Sequence, residues 1–129
     1  MSVVRAVRGA ITVSENSRED ILKETKLLLK TVIEKNGINH EDIIDIIFST
    51  THDLNAAFPA AAAREMGLTD VALMCTNEID VPGSLRKCIR LMLHFNTDKS
   101  NKDIKHIYLK GAASLRPDLA DKDPMEQES

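Results

Sequence analysis

The run Cys88 to Phe95, CIRLMLHF, alternates without a break. Cys88, Arg90, Met92 and His94 fall on one side and Ile89, Leu91, Leu93 and Phe95 on the other, the period of two that a β-strand imposes. A chain holding this run must build a sheet, and must set an arginine in mid-strand among apolar neighbours. A buried guanidinium without a partner is costly, so Arg90 calls for an anion. Upstream, Glu78 follows the apolar run 71–75 and precedes a Pro82-Gly83 turn. An arginine in a sheet with a carboxylate on the preceding loop is either a structural ion pair or a site for a polar ligand. Spacing alone leaves both open.

The rest of the chain reads as elements of one small sheet domain. Residues 3–13, VVRAVRGAITV, are β-branched-rich and predict a first strand, with Arg8 on the same face as Val4, Ala6 and Ala10. Gly9 beside it allows a close approach to the backbone. Ser17-Arg18-Glu19-Asp20 is a capping-box-like start. Behind it Ile21, Leu22, Thr25, Leu28, Leu29, Val32 and Ile33 recur at helical spacing until Asn36-Gly37, which predicts an amphipathic helix over 18–35. A helical turn at 40–42 leads into a strand over 43–50. Pro59 suits a helix N1 position, and Gly67 ends the short helix that carries Arg64. Further strands are expected at 71–75, 85–96 and 105–110. In the last, His106, Tyr108 and Lys110 would share one face.

The expected fold class is therefore α+β, a mixed five-stranded sheet covered on one face by the long helix. One helix covers one face. The other, read as the row Ile89, Leu91, Leu93 and Phe95, would stay exposed unless a second subunit covers it, so self-association is expected. A single domain over 1–119 and a mobile acidic tail over 120–129 complete the organisation, since periodicity is lost after Leu119.

Charge and composition exclude several function classes. Of the net −3, residues 117–129 carry −4, with five acids and one lysine, so the body is near +1. A near-neutral body with three Phe, one Tyr and no Trp lacks both the basic patch and the stacking platform of a nucleic-acid binder. No apolar run approaches the roughly 20 residues of a membrane span, and no basic-then-apolar leader opens the chain. No membrane role and a cytoplasmic location are expected. Cys75 and Cys88 have no C-x-x-C spacing and read as reduced thiols.

The chemistry narrows by elimination. Neither cysteine has a histidine near it in sequence, no G-x-S-x-G occurs, and Thr51-His52-Asp53 fits no triad order. His40, His52, His94 and His106 are scattered without metal-ligand spacing, so no metal is expected. No glycine-rich loop joins a strand to a helix, which removes the common dinucleotide and phosphate fingerprints. What remains is Arg8, Arg64, Arg90 and Arg116, with Tyr108 and Glu78. Several arginines suit a ligand with more than one carboxylate. Catalysis at such a site would be electrostatic and positional.

An ordered set of motifs then carries a resemblance. It comprises Arg8-Gly9-Ala10, Ser49-Thr50 through Asp53-Leu54, Phe58-Pro59-Ala60, Arg64-Glu65, Cys75 with Glu78 and Asp80-Val81, residues 85–90 (LRKCIR), His106-Ile107-Tyr108-Leu109, and residues 115–119 (LRPDL). Together they resemble the small, trimeric, mixed α/β class of chorismate mutases over about residues 4–119. The resemblance implies a Claisen rearrangement of chorismate to prephenate, in the synthesis of phenylalanine and tyrosine, without cofactor or covalent intermediate.

It also implies roles for particular residues. Arg90 would donate to the ether oxygen and a carboxylate, and Glu78 would accept from the ring hydroxyl and hold Arg90. Arg8 and Tyr108 would bind the enolpyruvyl carboxylate. Met74, Cys75, Thr76 and Asn77 would line the ring, and Phe58, Ala60, Arg64, Leu115 and Arg116 the rim. A homotrimer with a barrel-like (pseudo α/β-barrel) core of sheets would place these sites between subunits. Ala61 stands where the family often has a lysine, which removes one rim charge. Two other classes stay open: a non-catalytic trimeric module that binds a small carboxylate, and another trimeric mixed-sheet enzyme such as an enamine/imine deaminase, whose remaining pattern this chain lacks.

Overall fold

Ser17 caps the long helix, its Oγ accepting from the Asp20 backbone N–H at 3.1 Å. The computed structural model describes residues 2–115. Helix α1 (Arg18–Lys35) buries Ile21, Leu22, Leu28, Leu29, Val32 and Ile33 as one stripe. Each such side chain contributes about 1.5–3 kcal/mol on burial, so the stripe outweighs the exposed pairs of Arg18 and Lys26 with Glu65. Buried Asn36 ends the helix. Its amide bonds both the carbonyl and the N–H of Lys105, which ties α1 to the approach of the last strand.

Five strands, β1 (Val3–Thr12), β2 (Ile43–Thr50), β3 (Ala72–Asn77), β4 (Cys88–Thr97) and β5 (Ile107–Leu109), form one mixed sheet in the order β3-β2-β4-β1-β5. β1–β4 and β2–β4 are antiparallel, while β1–β5 and β2–β3 are parallel. A register shift between Ile43 and Asp45 leaves Ile44 outside the ladder. The short α2 (Ala60–Glu65) packs beside α1, and Gly67, at φ +90°, ends it as expected. Among the described residues, no helix is long and apolar enough to cross a membrane.

The main core lies between the sheet and α1. Gly9 allows a close approach: a Cβ there would come within 3.0 Å of Leu28 Cδ1 and 3.1 Å of Val32 Cγ2. The core includes Ile89, Leu91, Leu93 and Phe95, all buried. This corrects the expected facing of β4. The alternation is right, but the aliphatic row meets the helix, and the row with Arg90, Met92 and His94 lies on the open face. The open face is nonetheless apolar in part, with Val4, Ile47, Met74 and Met92 exposed.

Strand ends also move. β4 starts at Cys88 rather than Leu85, because Lys87 takes φ +50° and breaks the extended run. β5 shortens to three residues and ends before Lys110, which takes φ +54°. Lys110 therefore leaves the side of Tyr108, where alternation had put it, and its Nζ bonds the buried carboxylate of Glu24 on α1. The tail expected at 120–129 lies outside the described residues.

Candidate functional site

Strand pairing puts two of the expected site residues, Arg90 and Tyr108, at one height on the open face. Ala10 of β1 pairs with Arg90 of β4 on one side and with Tyr108 of β5 on the other. With strands about 4.8 Å apart, Arg90 and Tyr108 are roughly 10 Å apart across the small Ala10 side chain. Arg8, two residues back on β1, pairs with Met92 in the next row and is half-buried. Its backbone N–H donates to His106 Nδ1 at 3.0 Å, so His106 accepts there. Ala10, Cys88, Tyr108 and Ala112 form a small buried cluster of their own, with Leu85 and Leu115 packed on it. Tyr108 thus stands on a firm apolar base beside the arginines.

Glu78 completes this group. Its Oε1 lies 3.4 Å from Arg90 Nε, and the arginine side chain keeps 46% of its surface open. That distance is long for a charge-assisted hydrogen bond, and an ion pair so exposed contributes little to stability. The magnitude decides between the two sequence-level readings. A pair worth so little does not account for an arginine set in a strand, whereas an open guanidinium beside a carboxylate suits a polar ligand. The expectation of a buried Arg90 is corrected: it projects from the open face.

Cys88, two residues before Arg90 on the same face, is buried, and its thiol is pushed up to about 11. Burial is the main cause, opposed by the charge and hydrogen bond of Arg90. A thiol held neutral is no nucleophile at ordinary pH.

The other expected residues gather elsewhere on the chain. Phe58, Arg64, Cys75, Thr76 and Asn77 line a cleft of about 640 Å³ with Ala61 and Arg18 among its walls. Phe58 is 71% exposed. Met74 is exposed on the open face, while Cys75 beside it points to the opposite side, half-buried against the main core. Ala60 departs from expectation: it is buried in the main core rather than set at a rim. Arg116 lies outside the described residues.

A second cleft, of about 420 Å³, is lined by Thr51, His52, Asp53 and the loop 78–86. The two clefts share no lining residue. Phe58, Arg64, Cys75, Thr76 and Asn77 line the first cleft and Glu78 the second, while Arg8, Arg90, Tyr108 and Leu115 line neither.

Sequence reasoning passed over the turn that supports Glu78 and the start of β4. Glu78 N–H donates to the Thr50 carbonyl at 2.9 Å, and His52 Nε2 bonds the Glu78 carbonyl at 3.0 Å. Asp53 accepts the Lys87 N–H on both carboxylate oxygens. The local signal was there, since a hydroxyl two residues before an aspartate favours a side-chain-bonded turn. Its distant partners were not legible.

The class in view is thus an α+β domain built on one mixed sheet, with an exposed arginine–carboxylate pair that suits a polar ligand. The chain belongs to the chorismate mutase type I family, whose model matches residues 4–119. It is 44% identical over 119 residues to chorismate mutase AroH of Bacillus subtilis, covering 92% of this chain and 94% of that protein. To chorismate mutase AroH of Thermus thermophilus it is 46% identical over 118 residues, covering 91% and 97%. A solved structure of a chorismate mutase from Clostridium thermocellum superposes with a TM-score of 0.85 at 64% identity, covering 86% of this chain and 99% of that one.

Proposed function

We propose that this chain is a chorismate mutase, an isomerase that converts chorismate to prephenate by a Claisen rearrangement for phenylalanine and tyrosine synthesis. The observation that carries the reading is the open Arg90–Glu78 pair in a chain of this family. In the reaction an ether C–O bond breaks and a C–C bond forms within one molecule, and the ether oxygen gains negative charge. Arg90 donates to that oxygen, an interaction strongest in the transition state and so one that raises kcat. Glu78 accepts from the ring hydroxyl and fixes the guanidinium. Arg8 and Tyr108 hold the enolpyruvyl carboxylate. Such a reaction asks of the protein only position and charge, and needs no metal or cofactor.

Cys75, Thr76 and Asn77 line the ring, and Phe58, Arg64, Leu115 and Arg116 close the rim across a subunit interface of a cytoplasmic homotrimer. Two observations support this assembly: Phe58 and Arg64 line a cleft that includes none of Arg8, Glu78, Arg90 and Tyr108, and Val4, Ile47, Met74 and Met92 are exposed on the sheet face opposite the helix. Loss of chorismate absorbance on adding purified protein, with no metal or cofactor, tests the activity. A trimer by light scattering tests the assembly. A folded protein without turnover would oppose the assignment.

A further inference from the structure

Arg90 and Glu78 come from different parts of the chain, and one turn, following β2, ties together the segments that carry them. On one side the Thr50 carbonyl and His52 Nε2 hold the N–H and the carbonyl of Glu78. On the other it grips the residues that enter β4. Asp53 accepts the Lys87 N–H at 3.1 and 3.0 Å. Thr51 Oγ1 donates to Asp53 Oδ1 at 2.5 Å and accepts the Cys88 N–H at 3.0 Å, and the Thr51 N–H donates to the Cys88 carbonyl at 3.1 Å.

Lys87 is what needs holding. Its φ of +50° is a left-handed conformation, which a non-glycine residue adopts at a cost and keeps only where the surroundings enforce it. Three residues later comes Arg90. A relaxed Lys87 would change the angle at which β4 begins and carry the guanidinium away from Glu78. The Asp53 carboxylate supplies the enforcement with two acceptors on one N–H. Burial alone would raise its pKa, but the Thr51 and Lys87 hydrogen bonds, with the nearby Arg86 charge, lower it below the usual range, so it stays ionised and purely an acceptor.

We propose that Asp53 is a positioning residue for the rearrangement, acting through the Lys87–Cys88 backbone to hold Arg90 against Glu78. This rests on the reading of Arg90 as the donor to the ether oxygen. The test is a cycle of full-length wild type, Asp53→Asn, Arg90→Ala and the double variant, with kcat and KM for chorismate and a melting curve for each. Asparagine keeps the size of the side chain but turns one acceptor into a donor against the Lys87 N–H.

The expected result is a kcat lower by about 10- to 100-fold with KM little changed, the cost of a small misplacement at the reacting centre. In the Arg90→Ala background the same substitution should cost nothing further, since Asp53 acts through Arg90. Lys87→Gly should restore much of the lost kcat to Asp53→Asn, because glycine takes the left-handed conformation unaided. A kcat within about threefold of wild type, or an equal loss with and without Arg90, would overturn the proposal. Should Asp53→Asn fail to fold, Thr51→Val, which removes the hydroxyl between Asp53 and Cys88, takes its place in the same cycle. A kcat loss that needs Arg90 then supports the proposal, and an unchanged kcat or an equal loss without Arg90 overturns it. An inactive wild type overturns the mutase reading and this one together, whereas an active wild type indifferent to Asp53 overturns this one alone.

Discussion

Arg90 Nε meets Glu78 Oε1 at 3.4 Å, yet no strand pairing joins the two residues. Arg90 pairs with Ser49 of β2, while Glu78 follows the end of β3 on the far side of that strand. Their meeting depends on side-chain reach, and that makes the geometry of the guanidinium decisive. Arg90→Lys keeps the charge but replaces a planar fork by a point charge on a flexible stem. The expected outcome is a kcat at least about 10²-fold lower in steady-state turnover of chorismate, close to the loss of a whole oxyanion donor. A lysine variant near wild-type kcat would show that charge alone suffices.

The contact of Gly9 with α1 yields a stability prediction. Gly9→Ala would push a methyl group into Leu28 and Val32, at 3.0 and 3.1 Å, with the Ile107 carbonyl at 3.4 Å. Both nearer atoms are ends of side chains, so they can shift, and the cost should be about 1–2 kcal/mol. Thermal unfolding followed by circular dichroism should show a melting temperature lower by several degrees. An unchanged melting temperature would mean that α1 rides more loosely on the sheet than these distances say.

Cys88 supplies a pH dependence. Its folded pKa, about 11, lies above that of an unfolded thiol, chiefly because it is buried. Below the unfolded value the thiol is neutral in both states and has no effect on the pH profile. As pH rises through the window up to about 11, the unfolded chain releases the proton first, so stability falls. Cys88→Ala should flatten this alkaline limb in melting curves. In the native protein at about pH 8, mass spectrometry after iodoacetamide should find Cys88 unmodified, and denaturant should expose it. Rapid native alkylation of Cys88 would contradict its burial.

The sequence carried the fold a long way, for local reasons. α1 falls at 18–35 as predicted because a cap, an apolar stripe and a terminal Asn-Gly all act within one element. Alternation in 88–95 gave two faces correctly but not which one meets the helix, since Met92 and Ile89 are both apolar and period two is symmetric. The positive φ values of Lys87 and Lys110, which shorten β4 and β5, follow from no residue type, because lysine does not favour that region. At the site, Arg8, Arg90 and Tyr108 were legible as charged or polar groups in apolar runs, Glu78 as a carboxylate on the loop after one, and all four through the family resemblance. Thr51, His52 and Asp53 were not, because their partners Glu78, Lys87 and Cys88 lie 26 to 37 residues away.

The most direct test is the ultraviolet assay of chorismate disappearance with purified wild type and Arg90→Ala, side by side, without metal or cofactor. The expected result is rapid conversion to prephenate by the wild type and a kcat lower by about 10²–10³-fold in a folded Arg90→Ala. Arg90→Ala turning over within about tenfold of the wild type would contradict the role given to Arg90. No conversion by a folded wild type would contradict the mutase assignment itself.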